Sequence, residues 1–232
     1  MILTATALDI TISILLIILS YIFGSIPFGL VLGKLICKKD IRNYGSKNIG
    51  TTNSIRVLGK KVGLTVFALD VFKGMAVILL IALLELTGIW KNPEGIELFV
   101  YGGAAVIGHC YSVFLDFKGG KAVATSLGVI LVLTPIPAVS CLIVFAIILG
   151  MTGYVSLAST GATLTVLVTT WVLYFIGVAE VTSFASYLIH QPSLLMCILY
   201  SLLALLIILK HKKNYIRLIN GTENSFKKKK AK

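Results

Sequence analysis

Long apolar runs divide the chain, each close to the roughly 20 residues that a helix rising ~1.5 Å per residue needs to cross a hydrocarbon core. Clear runs cover 8–33, 62–86, 98–114, 156–178 and 192–210, and a longer one covers 119–150. In lipid every backbone N–H and C=O must find a partner within the chain, so such runs read as helices. Composition agrees. Hydrophobic residues make up 57% of the 232 and charged residues only 13%, against about a quarter charged in a soluble domain. Such a chain lacks the polar surface to cover a water-soluble fold, and a bilayer is its natural solvent.

The 119–150 run carries Thr134-Pro135-Ile136-Pro137. Two prolines within three residues favour a break there, giving two short helices in place of one long one. Charge decides between the versions. With the break there are seven spans, and segments 34–61, 115–121, 151–155 and 210–232 share one face. Nineteen of the 21 Lys and Arg then lie on that face, Lys91 lies opposite and Lys73 lies within a span. The positive-inside rule makes that face cytoplasmic, with the N-terminus out and the C-terminus in. The fourth and fifth spans are expected to be short, and so tilted or sheltered by neighbours. The expected fold is an all-α integral membrane bundle of about seven transmembrane helices, comprising residues 1–224, followed by a basic tail at 225–232. Lys227–Lys230 in that tail suits anionic headgroups and no catalytic role.

Other features are plain. The start lacks the basic segment of a secretory signal, and Leu8–Leu32 is long enough to span, so it reads as an uncleaved first helix. Gly29 and Gly33 form a G-x-x-x-G pair on that helix, read as close packing. Cys37, Cys110, Cys141 and Cys197 are scattered without a C-x-x-C pair, which argues against a disulfide framework or a zinc site. Net charge is +12, but the cations sit between apolar runs with no aromatic-interleaved basic stripe, so nucleic acid is not an expected partner.

Three polar stretches fall on the basic face. Asp40–Arg56 combines glycines, small hydroxyls, amides and cations, a composition suited to phosphate as well as to an ordinary turn-rich loop. Gly108–Thr125 contains Lys118-Gly119-Gly120-Lys121, opening an apolar helix. Helix N-termini attract anions, and a lysine in the first turn is unfavourable unless an anion is bound beside it. The spacing is not that of a Walker A loop. His211, Asn214 and Arg217 are three apart, on one face of a continuing helix; alone, they read rather as a basic juxtamembrane helix that binds lipid headgroups. Ser156 lies at a span mouth. Asp70 and Lys73, three apart inside the second span, read as a structural ion pair. His109 and Asp116 are seven apart, unlike the H-x-x-x-x-D of thioester-using acyltransferases, and neither a Ser/His/Asp arrangement nor a metal cluster is evident.

These stretches resemble the bacterial membrane-integral acyl-phosphate:glycerol-3-phosphate acyltransferase family. The resemblance rests on Asn48-Ile49-Gly50-x-Thr52-Asn53-x-x-Arg56, on Gly108-His109 followed by Phe117-Lys118-Gly119-Gly120-Lys121, and on His211-x-x-Asn214-x-x-Arg217. It runs from Gly24 to Glu223. It implies transfer of a fatty acyl group from acyl phosphate to glycerol 3-phosphate, at the cytoplasmic interface of a bacterial cell membrane. It implies catalytic roles for Ser46, Lys121 and His211, and substrate binding by Thr52, Asn53, Arg56, Gly119, Gly120, Ser156 and Asn214. No cofactor or metal is expected, and no obligatory protein partner. Lys121 and the Gly119–Gly120 amides are expected to neutralise the leaving phosphate, and Ser46, Arg56, His211 and Asn214 to hold glycerol 3-phosphate. His211 is either the general base or a phosphate ligand, the proton then passing to substrate phosphate. Lys47 and Ala122 stand where the family usually has glycine, Thr51 for a usual Ala and Ser112 for a usual Pro. If positions 47 and 122 need left-handed backbone, each costs about 1 kcal/mol. The competing class is a transporter or channel for an anionic solute, which predicts polar residues continuing through several spans. A phosphatidyltransferase would need an intramembrane aspartate cluster, which the sequence does not show.

Overall fold

The computed structural model describes residues 6–177 and 192–226. The expected basic tail at Lys227–Lys230 lies outside them. Among the described residues there are ten α-helices, two short 3-10 turns and no strand. The chain divides at the proline break into two compact units, Met1–Leu133 and Thr134–Lys232.

The first unit begins with α1 (Ala7–Ser25), closed at its start by a Thr6–Asp9 capping box. The expected first span, 8–33, is two helices. Pro27 has no amide to continue the ladder, so α1 stops and α2 (Phe28–Cys37) starts again beyond it. Gly29 and Gly33 therefore lie on α2, and their close contacts are with a loop. A side chain at Gly29 would meet the Ile49 carbonyl, and one at Gly33 the Lys39 carbonyl at 2.9 Å.

A 3-10 turn (Ile41–Asn43), α3 (Thr51–Leu58) and α4 (Lys60–Leu86) follow, then α5 (Leu98–Cys110), a second 3-10 turn (Val113–Leu115) and α6 (Val123–Leu133). Backbones approach closely where residues are small, as expected when helices associate in lipid by packing. The Gly24 Cα lies against Ala105 and that of Gly108 against the Tyr21 carbonyl, which seats α1 on α5. Gly74 lies on the Thr125 carbonyl and Gly128 on that of Val71, which seats α4 on α6. Ser20 Oγ donates to Tyr101 O (2.6 Å) and Ser112 Oγ to Ser25 O (2.6 Å), adding polar clasps between elements.

The second unit holds α7 (Pro135–Thr152), α8 (Val155–Ile176), α9 (Leu194–Lys210) and α10 (Lys212–Ile219). The proline break falls where expected, with Pro135 as the first helical residue of α7, a position that needs no amide. Of the two spans expected to be short, only α6 is, at 11 residues; α7 has 18. Gly153 ends α7 at φ +74° and turns the chain straight into α8. Thr134 Oγ1 and Tyr200 Oη, 2.9 Å apart, tie the start of α7 to α9.

Among the described residues, five helices are long and apolar enough to cross a membrane: α1, α4, α5 with its 3-10 extension to Leu115, α7 and α8. A sixth is formed if α9 and α10, bent by 48°, count as one span, and α2 and α6 are shorter apolar helices.

Candidate active site

The stretch 40–56 forms an organised fold. Asn53, buried on α3, holds it together. Its Nδ2 donates to the carbonyls of Ile41 (3.1 Å), Tyr44 (3.1 Å) and Asn48 (2.9 Å), while its Oδ1 accepts the Ser46 amide at 2.9 Å. An amide with these bonds has its donors committed to the protein. Asn53 thus shapes the loop that presents Ser46. Thr52 and Arg56, four residues apart on α3 and half-buried, share another face of that helix. Arg42 is engaged elsewhere. Its guanidinium bonds Asp40 at 2.6 Å and, chiefly through that hydrogen bond, holds the carboxyl down to about 2.

Lys47 has φ +59° and Ala122 φ +57°. Both positions take the left-handed backbone that glycine adopts without penalty, so the expected strain is present at both.

Gly119 and Gly120 fold back on the end of α5. Gly119 N–H donates to Cys110 O (3.1 Å) and Gly120 N–H to His109 O (2.9 Å). A side chain at either would strike His109, at Gly119 its carbonyl and at Gly120 its Nε2. These two amides therefore lock the turn, although the sequence had offered them to phosphate. The helix starts later than expected. Ser126 N–H donates to Ala122 O at 2.7 Å and α6 opens at Val123, so Lys121 precedes the first turn. The amides of Val123–Thr125 are the ones that helix geometry leaves without intrahelical partners, and they supply the positive end of the dipole. Lys121 is half-buried beside them.

In the second unit, α9 does not continue straight through His211. The ring Nδ1 lies 2.8 Å from Ile207 O, the carbonyl that the next helical amide would take, while the His211 amide donates to Ile208 O at 3.0 Å. The ladder tightens and the axis bends there. A carbonyl only accepts, so Nδ1 carries a proton, and in the neutral ring Nε2 has the lone pair. Asn214 and Arg217 lie on α10 beyond the bend.

Glu223 gathers this segment. Its Oε1 accepts from Asn214 Nδ2 (2.7 Å) and Ser156 Oγ (3.1 Å), and its Oε2 accepts from Arg217 Nε (2.7 Å). Burial pushes this carboxyl up, but the bonds from Arg217, Asn214 and Ser156 and the Arg217 charge outweigh it and hold it below the usual glutamate value. Sequence reading placed Glu223 at the edge of the matched region and assigned it no role. The available signal was Gly221. It takes φ +67° after α10, and the Gly221 and Thr222 amides donate to Leu218 O (3.1 Å) and Arg217 O (2.8 Å), a reversal that returns Glu223 to the helix. His109, part of the Gly108-His109 motif, likewise carries no role in the sequence, its spacing to Asp116 being unlike the H-x-x-x-x-D of thioester-using acyltransferases. In the structure Asp116 is exposed, while His109 is buried with Thr125 Oγ1 3.2 Å from its Nδ1. Among the described residues no group of three or more His, Cys, Asp or Glu could hold a metal ion.

Residues 14–221 match the family described as glycerol-3-phosphate acyltransferase. The glycerol-3-phosphate acyltransferase of Acholeplasma laidlawii is 41% identical over 219 residues, which cover 94% of each chain. That of Lactococcus lactis is 41% identical over 212 residues, covering 91% of this chain and 92% of the relative. A crystal structure of PlsY, an integral membrane glycerol 3-phosphate acyltransferase, in its glycerol 3-phosphate form is 37% identical with a TM-score of 0.75, covering 92% of this chain and 95% of that one. Its lysophosphatidic acid form gives 36% and 0.72. With one family spanning nearly the whole sequence and the same helical membrane architecture, this chain belongs to the glycerol-3-phosphate acyltransferase family.

Proposed function

We propose that the protein transfers a fatty acyl group from acyl phosphate to glycerol 3-phosphate, giving 1-acyl-glycerol 3-phosphate (lysophosphatidic acid) and inorganic phosphate, at the cytoplasmic face of a bacterial membrane. The observation that carries this is the near full-length match to PlsY, described in glycerol 3-phosphate and lysophosphatidic acid forms, the acceptor and product of this reaction. The donor is the further step of the reading. An acyl phosphate is already an activated mixed anhydride, so no protein nucleophile is needed, and His109 and Asp116 are not placed as a thioester-type dyad.

The acceptor hydroxyl attacks the acyl carbonyl carbon. A carbon–oxygen bond forms, the bond from that carbon to the bridging phosphate oxygen breaks, and phosphate leaves. Lys121 and the opening amides of α6 balance charge on the leaving phosphate. Gly119 and Gly120 act by locking that turn. Ser46, Arg56 and Thr52 bind acceptor phosphate from the loop that Asn53 shapes. Asn214 and Ser156, oriented through Glu223, serve substrate binding in the second unit. In the second unit, the neutral His211 ring carries its lone pair on Nε2, since Nδ1 is held by Ile207 O, and this makes it the candidate proton acceptor. Holding the hydroxyl against the carbonyl turns a bimolecular attack into a positioned one.

The purified protein in liposomes, given a long-chain acyl phosphate and glycerol 3-phosphate, should release phosphate and lysophosphatidic acid one to one. Glycerol 3-phosphate crossing the bilayer without product would favour a transporter instead. Lys121→Ala should lower turnover by about 100-fold or more while the protein stays folded. Near-normal turnover in that variant would remove Lys121 from the mechanism.

A further inference from the structure

We propose that His109, held by Thr125 beside the buried Asp70–Lys73 ion pair, is a positioning residue that sets the Gly119–Gly120–Lys121 turn for the phosphate of the acyl donor. The inference rests on the acyl-transfer reading above and adds a group which that reading does not use.

Asp70 and Lys73 are almost completely buried, 2.9 Å apart, in the middle of the apolar helix α4. A buried ion pair is expensive to keep, and apolar residues of similar size hold helices together as well or better. Its position is therefore informative. Lys73 Nζ also donates to Ile26 O (2.8 Å), the carbonyl at the Pro27 break between α1 and α2. Asp70 Oδ1 lies 3.7 Å from His109 Nδ1, and Thr125 Oγ1 lies 3.2 Å from the same nitrogen. Thr125 stands in the first turn of α6, and its carbonyl packs on Gly74 of α4. One edge of the imidazole is thus fixed by α4 and α6.

The opposite edge supports the turn. His109 Nε2 lies against the Gly120 Cα so closely that a Cβ there would overlap it, and the His109 carbonyl accepts the Gly120 amide. Lys121 is the next residue. Rotating or removing the imidazole would let Gly120 settle toward α5 and would shift the Lys121 ammonium with it. A displacement of about 1 Å is enough to cost a reaction of this kind heavily.

The test is kinetic, on the full chain in liposomes. Thr125→Val removes the hydroxyl at nearly constant volume, Thr125→Ser retains it, and His109→Leu removes the imidazole nitrogens. Thr125→Val is expected to raise KM for acyl phosphate about fivefold or more, leave KM for glycerol 3-phosphate within about twofold, and melt like the wild type. Thr125→Ser is expected to restore the donor KM, and His109→Leu to exceed Thr125→Val. A Thr125→Val protein with the wild-type donor KM, with both KM values shifted together, or unable to fold overturns the proposal, the last by reducing the hydroxyl to stability alone. Failure of His109→Leu to fold leaves the decision to the Thr125 pair. Heat protection by inorganic phosphate, lost in Thr125→Val and kept in Thr125→Ser, reads the turn without turnover. A wild type that phosphate protects but that makes no product from acyl phosphate overturns the acyl-transfer reading alone. Neither protection nor turnover overturns both.

Discussion

Lys47 and Ala122 hold left-handed backbone where a Cβ is strained, and each flanks a residue assigned to chemistry, Ser46 and Lys121. Relief of that strain is measurable. Ala122→Gly is expected to stabilise the protein by up to about 1 kcal/mol, a rise of a few degrees in melting temperature, and Lys47→Gly to do the same. A fall in either would show that the side chain repays its conformation through contacts. Glu223 makes a sharper prediction. Because its folded pKa is depressed, the stability it adds is fully present above glutamate's ordinary value of 4.5 and is lost as pH falls through the lower folded value. The gap in melting temperature between wild type and Glu223→Gln should stay constant from pH 7 to about pH 5 and close only below that. At neutral pH, Glu223→Gln should lower turnover about tenfold, the equivalent of one charge-assisted hydrogen bond. A gap that closes between pH 7 and pH 6 would point to another group.

At the scale of elements, the close approach of α4 and α6 depends on residues without side chains. Gly74→Ala forces a Cβ into the Thr125 carbonyl and should destabilise the protein by about 1–3 kcal/mol. Gly150→Ala on α7, with nothing within 4 Å, should be neutral or stabilising by up to about 1 kcal/mol. Equal effects from the two would remove the packing argument. The elements were legible in the sequence to uneven degrees. The apolar runs located α4, α5, α8 and α9 to within a few residues, because hydropathy alone decides whether a segment can span. The Pro135 break was legible because a missing amide is a local property. The Pro27 break was passed over, since the run remains apolar through it. The bend at His211 was not legible. It depends on an imidazole displacing a backbone amide from Ile207 O, an outcome of competition inside the turn.

For the whole molecule, residue identity offers candidate residues but not their division of labour. The roles of the polar residues come from the resemblance to the family, yet the structure commits the amides of Gly119 and Gly120 and the side-chain amide of Asn53 to the protein itself. Those bonds depend on one stretch of chain returning to another from a distance in sequence, which a linear pattern does not contain. Glu223 and His109 became visible for the same reason. Orientation is an expectation of charge: with the four native cysteines replaced, single cysteines placed at Lys61 and Lys212 should react with an impermeant thiol reagent only from the cytoplasmic side, and one at Lys91 only from outside. Donor chemistry is the central claim, and the decisive measurement gives the purified chain glycerol 3-phosphate with acyl phosphate, acyl-CoA or acyl carrier protein in separate reactions. Lysophosphatidic acid from acyl phosphate alone is the predicted result; its formation from either thioester, with none from acyl phosphate, would contradict the account.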